Sequence, residues 1–425
     1  MLSKILLLFK IKELRNKIVF VLVVFGIFRL AASIPIPGVD QARLEQFFGN
    51  NQAFGLLNIF SGGALEQLSV VMLGLGPYIT ATIILQLMTM IFPKLKEIYE
   101  EAGEQGRQKF NQYGRMLTVP LALLQGFGFI TLLTRQNVIS DLSRFELLTT
   151  LFTVTAGAIF LMWLGELVSE KGIGNGISLL IFAGIVARVP QSIQQILATM
   201  TRDQIPAMIV FFALSIIIIA GVITVNEARR NIQVSYAKRV RGGRVYGGVS
   251  TFLPLNLNPA GVIPIIFALS LLLFPGMIGN FLSASNAVWA IRLSHIFNLL
   301  TNNQWLYGVS YFALVVLFTY FYTAVTFNPD NIANNLQKQG GFIPGLRPGK
   351  PTSQHLYYIL NRTLLIGAIF LGLIAVLPSV IQGLTGITAF QFLVGGTSIL
   401  IVVSVVLETM RQIEAQLVMR EYEGF

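Results

Sequence analysis

The chain of 425 residues has no cysteine and only two histidines, His295 and His355. Disulfides, thiol nucleophiles and thiolate metal sites are excluded, and two histidines are too few for a metalloenzyme, so neither metal nor cofactor is expected. Charge is scarce as well: Asp, Glu, Lys and Arg make up 12% of the residues and apolar types 54%. A soluble domain of this length would lack the polar surface to cover itself, so lipid is the expected solvent. No acidic residue stands at the centre of an apolar run. Glu166 and Glu408, like Arg29 and Arg188, fall toward run ends, where snorkelling or capping accounts for them. That speaks against an ion-coupled solute transporter, which needs a polar or ionisable group at mid-membrane. Long linkers and low-complexity segments are missing too.

What the chain does have is ten apolar runs suited to crossing a bilayer, near 18–32, 74–92, 116–133, 147–168, 177–189, 207–225, 260–277, 306–327, 363–380 and 387–407. Every lysine (Lys4, Lys10, Lys12, Lys17, Lys94, Lys96, Lys109, Lys171, Lys238, Lys338, Lys350) falls on one side of them. Arg29, Arg43, Arg135, Arg144, Arg188, Arg202 and Arg292 fall at or beyond the other side. The positive-inside rule makes the lysine side cytosolic and places both termini there. Most of the net charge of +11 is this asymmetry and needs no nucleic acid to explain it. His295 and His355 fall in expected loops on opposite sides. Residues 2–14 suit a short interfacial helix, and the first run is expected to be retained rather than cleaved after Ala31-Ala32-Ser33.

An expected outer loop from Pro190 to Pro206 divides the runs five and five, giving halves at 1–198 and 199–425. An odd number per half forces opposite orientations and pairs the second run with the seventh and the fifth with the tenth; interrupted segments at matched positions then point to the functional site. Gly74, Gly76 and Pro77 open the second run, and Pro259, Gly261 and Pro264 interrupt the start of the seventh. Ahead of the second run, residues 54–70 are too polar and glycine-rich to span lipid and too apolar for an exposed loop. A re-entrant element and a surface-lying segment fit them equally. Leu75 and Ile79, like Ile177 and Ile181, are four apart and share a helical face. Residues 345–352 and 171–176 have glycine patterns superficially like nucleotide-binding loops, but the first is one residue short with Pro351 after its lysine, and the second lacks the strand context. No enzyme is expected.

The segments Ile34-Pro35-Ile36-Pro37-Gly38, Asn58-Ile59-Phe60-Ser61-Gly62-Gly63-Ala64-Leu65, Gly76-Pro77-Tyr78-Ile79, Lys171-Gly172-Ile173-Gly174-Asn175-Gly176-Ile177-Ser178, Ala260-Gly261-Val262-Ile263-Pro264, Pro344-Gly345-Leu346-Arg347-Pro348-Gly349 and Gly395-Gly396-Thr397-Ser398 run in order along nearly the whole chain. Together they resemble the SecY family, the central subunit of the bacterial protein-translocation channel. The resemblance implies an all-α polytopic protein of the bacterial inner membrane, with ten transmembrane helices in two inverted five-helix halves around a central pore. It implies a constriction ring of Leu75, Ile79, Ile177, Ile181, Ile266 and Ile401. It implies a plug of Leu56, Leu57, Asn58, Ile59, Phe60, Ser61, Gly62, Gly63, Ala64 and Leu65. A lateral exit would lie between the second and third spans and the seventh and eighth, with Gln86 and Asn258 as a polar latch; solvation at the interface accounts for Asn258 equally well. Cytosolic loops near 227–259 and 328–361, with Lys238, Arg239, Arg241, Arg244, Arg347 and Lys350, would dock the SecA ATPase or ribosomal RNA. SecE would clamp the halves and SecG would be an accessory, while signal sequences and nascent polypeptides would pass through or exit into membrane lipid. A small-solute transporter and a non-conducting scaffold are the alternatives.

Overall fold

A computed structural model describes residues 11–37, 44, 64–65, 67–100, 103–135, 138–139, 143–199, 205–236, 239–241, 244–246, 250–282, 288–385 and 396–423. The first half contains α1 (Lys12–Ala32), α2 (Gly76–Ile91), α3 (Pro93–Glu100), α4 (Gly103–Arg135), α5 (Arg144–Lys171) and α6 (Gly176–Thr199). The second opens with α7 (Ile205–Glu227), followed by β1 (Arg229–Tyr236), β2 (Arg239–Arg241), β3 (Arg244–Tyr246) and β4 (Ser250–Asn256). Then come α8 (Ile263–Leu282), α9 (Val288–Asn302), α10 (Gln304–Thr326), α11 (Pro329–Lys338), β5 (Gly341–Phe342), α12 (Lys350–Thr385) and α13 (Gly396–Glu423). Each apolar run of the sequence falls mainly on one of these helices where it is described, residues 387–395 of the last run lying outside the described residues, and α3, α9 and α11 are additional short ones.

Among the described residues, stretches of α4, α5, α10 with α11, and α12 are each long and apolar enough to cross a membrane. The pair α2–α3, bent by 115° beside Pro93, makes a fifth candidate. The apolar parts of α6 and α8 are shorter, Gly176–Gln191 and Ile263–Leu272. Helix α8 packs on α2 and α6 on α13, and all four share one buried apolar cluster, where protein rather than lipid surrounds the helix.

Helix α1 shows which solvent the outside expects. Leu14, Val21, Val24, Phe28 and Ala32 recur at helical spacing and are buried, while Val19, Leu22, Val23, Ile27 and Leu30 on the other face are exposed and equally apolar. Such a face is an aggregation liability in water and neutral in hydrocarbon.

Two features depart from the sequence reading. Helix α6 continues through Pro190 to Thr199 instead of ending in a loop, because residues 191–199 favour helix and one proline removes one intrahelical bond. His295 and His355, expected in loops, lie in α9 and in the first turns of α12.

The packing repeats itself on exchanging the halves. Helix α2 packs on α4 as α8 packs on α10; α4 on α5 as α10 on α12; α5 on α6 as α12 on α13; α1 on α6 as α7 on α13. The matched partners then touch across the centre, α2 with α8 and α6 with α13. One apolar cluster runs through the result, from Val24 of α1 and Ile79 of α2 to Ile266 of α8 and Ile401 of α13.

Close backbone approach locks each half in the same way. A Cβ on Gly157 of α5 would collide with the Val70 carbonyl, and one on Gly367 of α12 would lie 2.7 Å from the Leu257 carbonyl. Val70 and Leu257 each stand four residues before a glycine of positive φ, Gly74 (+55°) and Gly261 (+62°). The interrupted segments ahead of α2 and α8 are thus pressed onto glycine faces of equivalent helices.

Between α7 and α8, β1 pairs antiparallel with β4, from Arg229↔Asn256 to Ser235↔Ser250, and its other edge takes β5 through Ser235↔Phe342 and Tyr236↔Gly341. Ile232, Leu255, Ile343 and Leu356 form a small separate core beneath this sheet. The two loops near 227–259 and 328–361 therefore build one platform.

Gly157→Ala and Gly367→Ala should each destabilise the protein by about 1–3 kcal/mol, because a fixed carbonyl and not a movable side chain blocks the methyl group. Gly26→Ala, with nothing within 4 Å of the added carbon, should leave the thermal unfolding midpoint in detergent unchanged or slightly raised.

Candidate functional site

The chain enters α2 and α8 through the same four-residue unit. Gly74-Leu75-Gly76-Pro77 and Gly261-Val262-Ile263-Pro264 each begin with a left-handed glycine and place proline second in the helix, where its missing N–H leaves no bond unmade. The first helical bonds correspond: Ile79 N–H donates to the Leu75 carbonyl at 3.0 Å, and Ile266 N–H to the Val262 carbonyl at 3.3 Å. Leu75 with Ile79 and Val262 with Ile266 are therefore equivalent pairs. A second repeat opens α6 and α13, where Gly176-Ile177-Ser178-Leu179-Leu180-Ile181 matches Gly396-Thr397-Ser398-Ile399-Leu400-Ile401.

These repeats bring the six expected ring residues into the same apolar cluster. Leu75, Ile79, Ile181, Ile266 and Ile401 are buried in it, and Ile177 packs against it half-buried. Val262 is buried there too. The sequence reading passed over it, although the Gly-x-x-Pro repeat marks it as the counterpart of Leu75.

Beside this cluster, residues 34–36 pair with 68–70: Ile36 N–H donates to Leu68 O at 2.9 Å and Val70 N–H to Ile34 O at 3.0 Å. Ala64 is buried in the same cluster as Leu75, and Leu65 is buried in a neighbouring one with Leu68, Met72 and Phe129. The other expected plug residues, Leu56, Leu57, Asn58, Ile59, Phe60, Ser61, Gly62 and Gly63, lie outside the described residues.

On the side of the sheet lies a cavity of about 310 Å³ between α6, α7, the β4–α8 connection, α10 and α13, with Ile266 and Ile401 in its wall. Its lining is rich in amides. Asn226 Nδ2 donates to Ser404 Oγ at 2.7 Å, and Asn258 Nδ2 donates both to Asn226 Oδ1 at 3.0 Å and to the Gly261 carbonyl at 3.1 Å. This network ties α7, the turn into α8 and α13 together. Arg411 donates to the Asn226 carbonyl at 2.9 Å and pairs with Glu227. Along α13, Ile401, Ser404, Val405, Glu408 and Arg411 recur at helical spacing on the face toward the cavity. Glu408 stands just past the apolar run; desolvation pushes its carboxyl above the usual range, and nearby Arg411 pulls it back in part. Among the described residues no cluster of His, Asp and Glu is arranged to hold a metal.

Gln86 and Asn258 are both buried, and the acceptor oxygen of each has no hydrogen-bond partner. The two side chains thus do not bond to each other in this state. Asn258 directs its donors within the second half.

Of the expected docking residues, Arg347 and Lys350 are exposed in the turn between β5 and α12. Gly345 (φ +84°) and Gly349 (φ +98°) shape that turn, and the Thr352 hydroxyl closes it by donating to Arg347 O at 2.9 Å. Arg239, Arg241 and Arg244 lie on the β2–β3 hairpin, with Arg241 opposite Arg244. Lys238 lies outside the described residues.

A family profile described as SecY matches residues 69–410. The protein translocase subunit SecY of Streptomyces galbus is 45% identical over 434 residues, covering 98% of each chain. The chain belongs to the SecY family. Two solved structures show that its fold is shared more widely. A protein-conducting channel superposes with a TM-score of 0.65 at 18% identity, over 93% of this chain and 91% of the other. Sec61 from a canine ribosome–channel complex of the endoplasmic reticulum superposes with a TM-score of 0.59, also at 18% identity, over the same shares. The all-helical membrane body, its inverted halves and its place in a membrane agree with SecY membership. The small three-stranded sheet is an addition that hydropathy gave no sign of.

Asn226→Ala should strand the buried Asn258 amide and the Ser404 hydroxyl together, lowering stability by about 1–3 kcal/mol. Thermal unfolding in detergent checks this. Glu227→Gln, which alters an exposed ion pair, should shift the midpoint less.

Proposed function

We propose that this chain is the conducting subunit of a protein translocase, threading unfolded secretory polypeptides outward across the plasma membrane and releasing apolar segments sideways into lipid. The observation that carries this reading is the meeting of matched aliphatic residues from α2 and α8, and from α6 and α13, at the inner end of a polar cytosolic cavity. Leu75, Ile79, Ile177, Ile181, Ile266 and Ile401 then form a seal that binds no ion strongly, discourages a water column and adapts to side chains of any shape. The plug, residues 56–65, rests outward of the ring when the channel is idle. Sideways release runs between α2 with α4 and α8 with α10. A run of about ten leucine-like residues gains on the order of 3 to 6 kcal/mol on entering lipid, enough to part a marginally closed seam. Gln86 and Asn258 face this task with unpaired acceptors, so the latch between them forms only if the seam shifts. The halves are residues 1–198 and 199–425, with both termini cytosolic.

The platform of β1, β4, β5 and the Arg347–Lys350 turn docks the motor on the cytosolic face. SecA and the ribosome are the drivers the family resemblance implies, with SecE as clamp and SecG as accessory. The basic hairpin of Arg239, Arg241 and Arg244, with Lys238 beside it, suits phosphates or an acidic surface. No catalytic role is assigned to the chain; energy comes from its partners or from the membrane potential.

Ile79→Asn with Ile181→Asn should make the idle complex leak ions in planar bilayers, while the single lipid-face change Leu22→Asn should not; unchanged conductance in the double variant would remove the ring from the mechanism. Arg347→Glu should slow precursor import into reconstituted vesicles several-fold while leaving idle conductance as it was.

A further inference from the structure

The turn between α5 and α6, Lys171-Gly172-Ile173-Gly174-Asn175-Gly176, is built more tightly than joining two helices requires. Side-chain bonds fix its shape. Ser169 Oγ donates to the Gly165 carbonyl at 3.0 Å and accepts the Gly176 N–H at 2.8 Å, while Asn175 Oδ1 caps α6 by accepting the N–H groups of Ile177 at 3.1 Å and Ser178 at 3.3 Å. A Cβ on Gly176 would collide with the Gly165 carbonyl, so α5 and α6 meet there backbone against backbone. The turn is left with little room to shift.

What it touches belongs to both halves of the chain. A Cβ on Gly172 would lie 3.0 Å from Val21 Cγ2 of α1, and one on Gly174 would lie 3.1 Å from Leu179 Cδ1 of α6 and 3.3 Å from Thr409 Oγ1 of α13. Gly174 stands at φ +87°, and the Thr409 hydroxyl is itself held by donating to the Val405 carbonyl at 2.7 Å. Between these contacts Ile173 is buried with Leu14 of α1 and Ile413 of α13, and Ile11, Ile18 and Leu417 close around them. A stiff turn of the first half is thus wedged between the first long helix and the last.

Its place matters because of what each helix carries next to it. Ile177 comes directly after Gly176 with Ile181 one turn on, and Ile401 precedes Thr409 by eight residues, roughly 12 Å along α13. Away from the turn, α6 and α13 meet through aliphatic side chains. Apolar attraction has no direction, so it favours contact without fixing how far one helix stands along the other. A displacement by one residue, about 1.5 Å along the axis, would open gaps in packing that is otherwise as dense as in an organic crystal. Resting on the ring reading above, we propose that the turn 172–176 is a positioning stop for the ring: by abutting Thr409 and Ile413 it sets the height of Ile177 and Ile181 against Ile401. Ile173 seats the stop, and Gly174 keeps its distance, because any side chain there would press α13 away.

The test uses the complete complex and two readouts, idle conductance in planar bilayers for position and the thermal unfolding midpoint in detergent for strain. Gly174→Ala should raise the conductance several-fold and lower the midpoint. Adding Thr409→Ala, which removes the atom that the new methyl group meets on α13, should return the conductance toward the unsubstituted level while the midpoint stays low, because the left-handed backbone remains strained. Gly103→Ala, also left-handed (φ +61°) but with nothing within 4 Å of the added carbon, should lower the midpoint without a leak. Thr409→Leu presses on the same contact from α13 and leaves the backbone of the turn alone, so it tests the stop even where Gly174→Ala does not assemble; it too should leak. No leak with Thr409→Leu overturns the proposal, and so does a leak in Gly174→Ala that Thr409→Ala does not reduce. If Ile79→Asn with Ile181→Asn fails to leak, the ring reading itself fails and this inference with it. If that pair leaks but Thr409→Leu does not, this inference alone fails.

Discussion

A backbone interrupted at membrane depth must find every bonding partner inside the protein, and that requirement organises this structure. The segments ahead of α2 and α8 meet it by being pressed onto neighbouring helices at Gly157 and Gly367, where no Cβ holds them away. Residues 68–70 add bonds to the strand-like stretch 34–36, and the turn at Gly261 is bonded by Asn258. Only then does a left-handed glycine followed by proline at the second helical position become a reproducible way of starting a helix within the protein interior. The first-turn residues of those helices, Leu75 with Ile79 and Val262 with Ile266, end up in the same place in each half.

From this follows the division of labour between the faces of the central helices. One side of α13 runs from Ile401 in the apolar cluster through Ser404 to Glu408 and Arg411 in the cavity, passing from a greasy to a polar environment within three turns. Helix α6 contributes Ile181 deep in the cluster and Ser178 near the cavity, with Asn175 just ahead of its first turn also lining the cavity. The two environments are joined by a hydrogen-bonded network, Asn258 to Asn226 to Ser404, that holds three elements of one half in register. Among the described residues, the hydrogen bonds of that network lie within the second half. A network confined to the second half would keep that half intact if the seam between the halves opened.

Much of this was legible in the residues. Proline and glycine at matched places singled out the second and seventh spans. Six aliphatic positions taken from family motifs all came to rest in one cluster, although burial in a cluster this large does not by itself assign them to a pore. Val262 was overlooked because valine beside Gly261 carries no pattern of its own until Gly-x-x-Pro is aligned with its twin. The union of the two loops near 227–259 and 328–361 in one sheet was hidden because β5 is only two residues long, and its pairing with β1 spans about a hundred residues of sequence. The amide network escaped notice because asparagines at span ends read equally well as solvated. Pro190 acts in the other direction: a single proline reads as a boundary, yet the helix formers after it carry α6 onward to Thr199.

The central claim is that the aliphatic residues of the four inner helices face a path that a polypeptide travels. Single cysteines at Ile79, Ile181, Ile266 and Ile401, introduced one at a time into this cysteine-free chain, can be tested for disulfide formation with a cysteine in an arrested precursor, with Leu22 and Trp163 on exposed helix faces as controls. The account predicts crosslinks at all four inner positions and none at the two controls. Crosslinks at the controls with none at the inner four would place those side chains away from the path and contradict it.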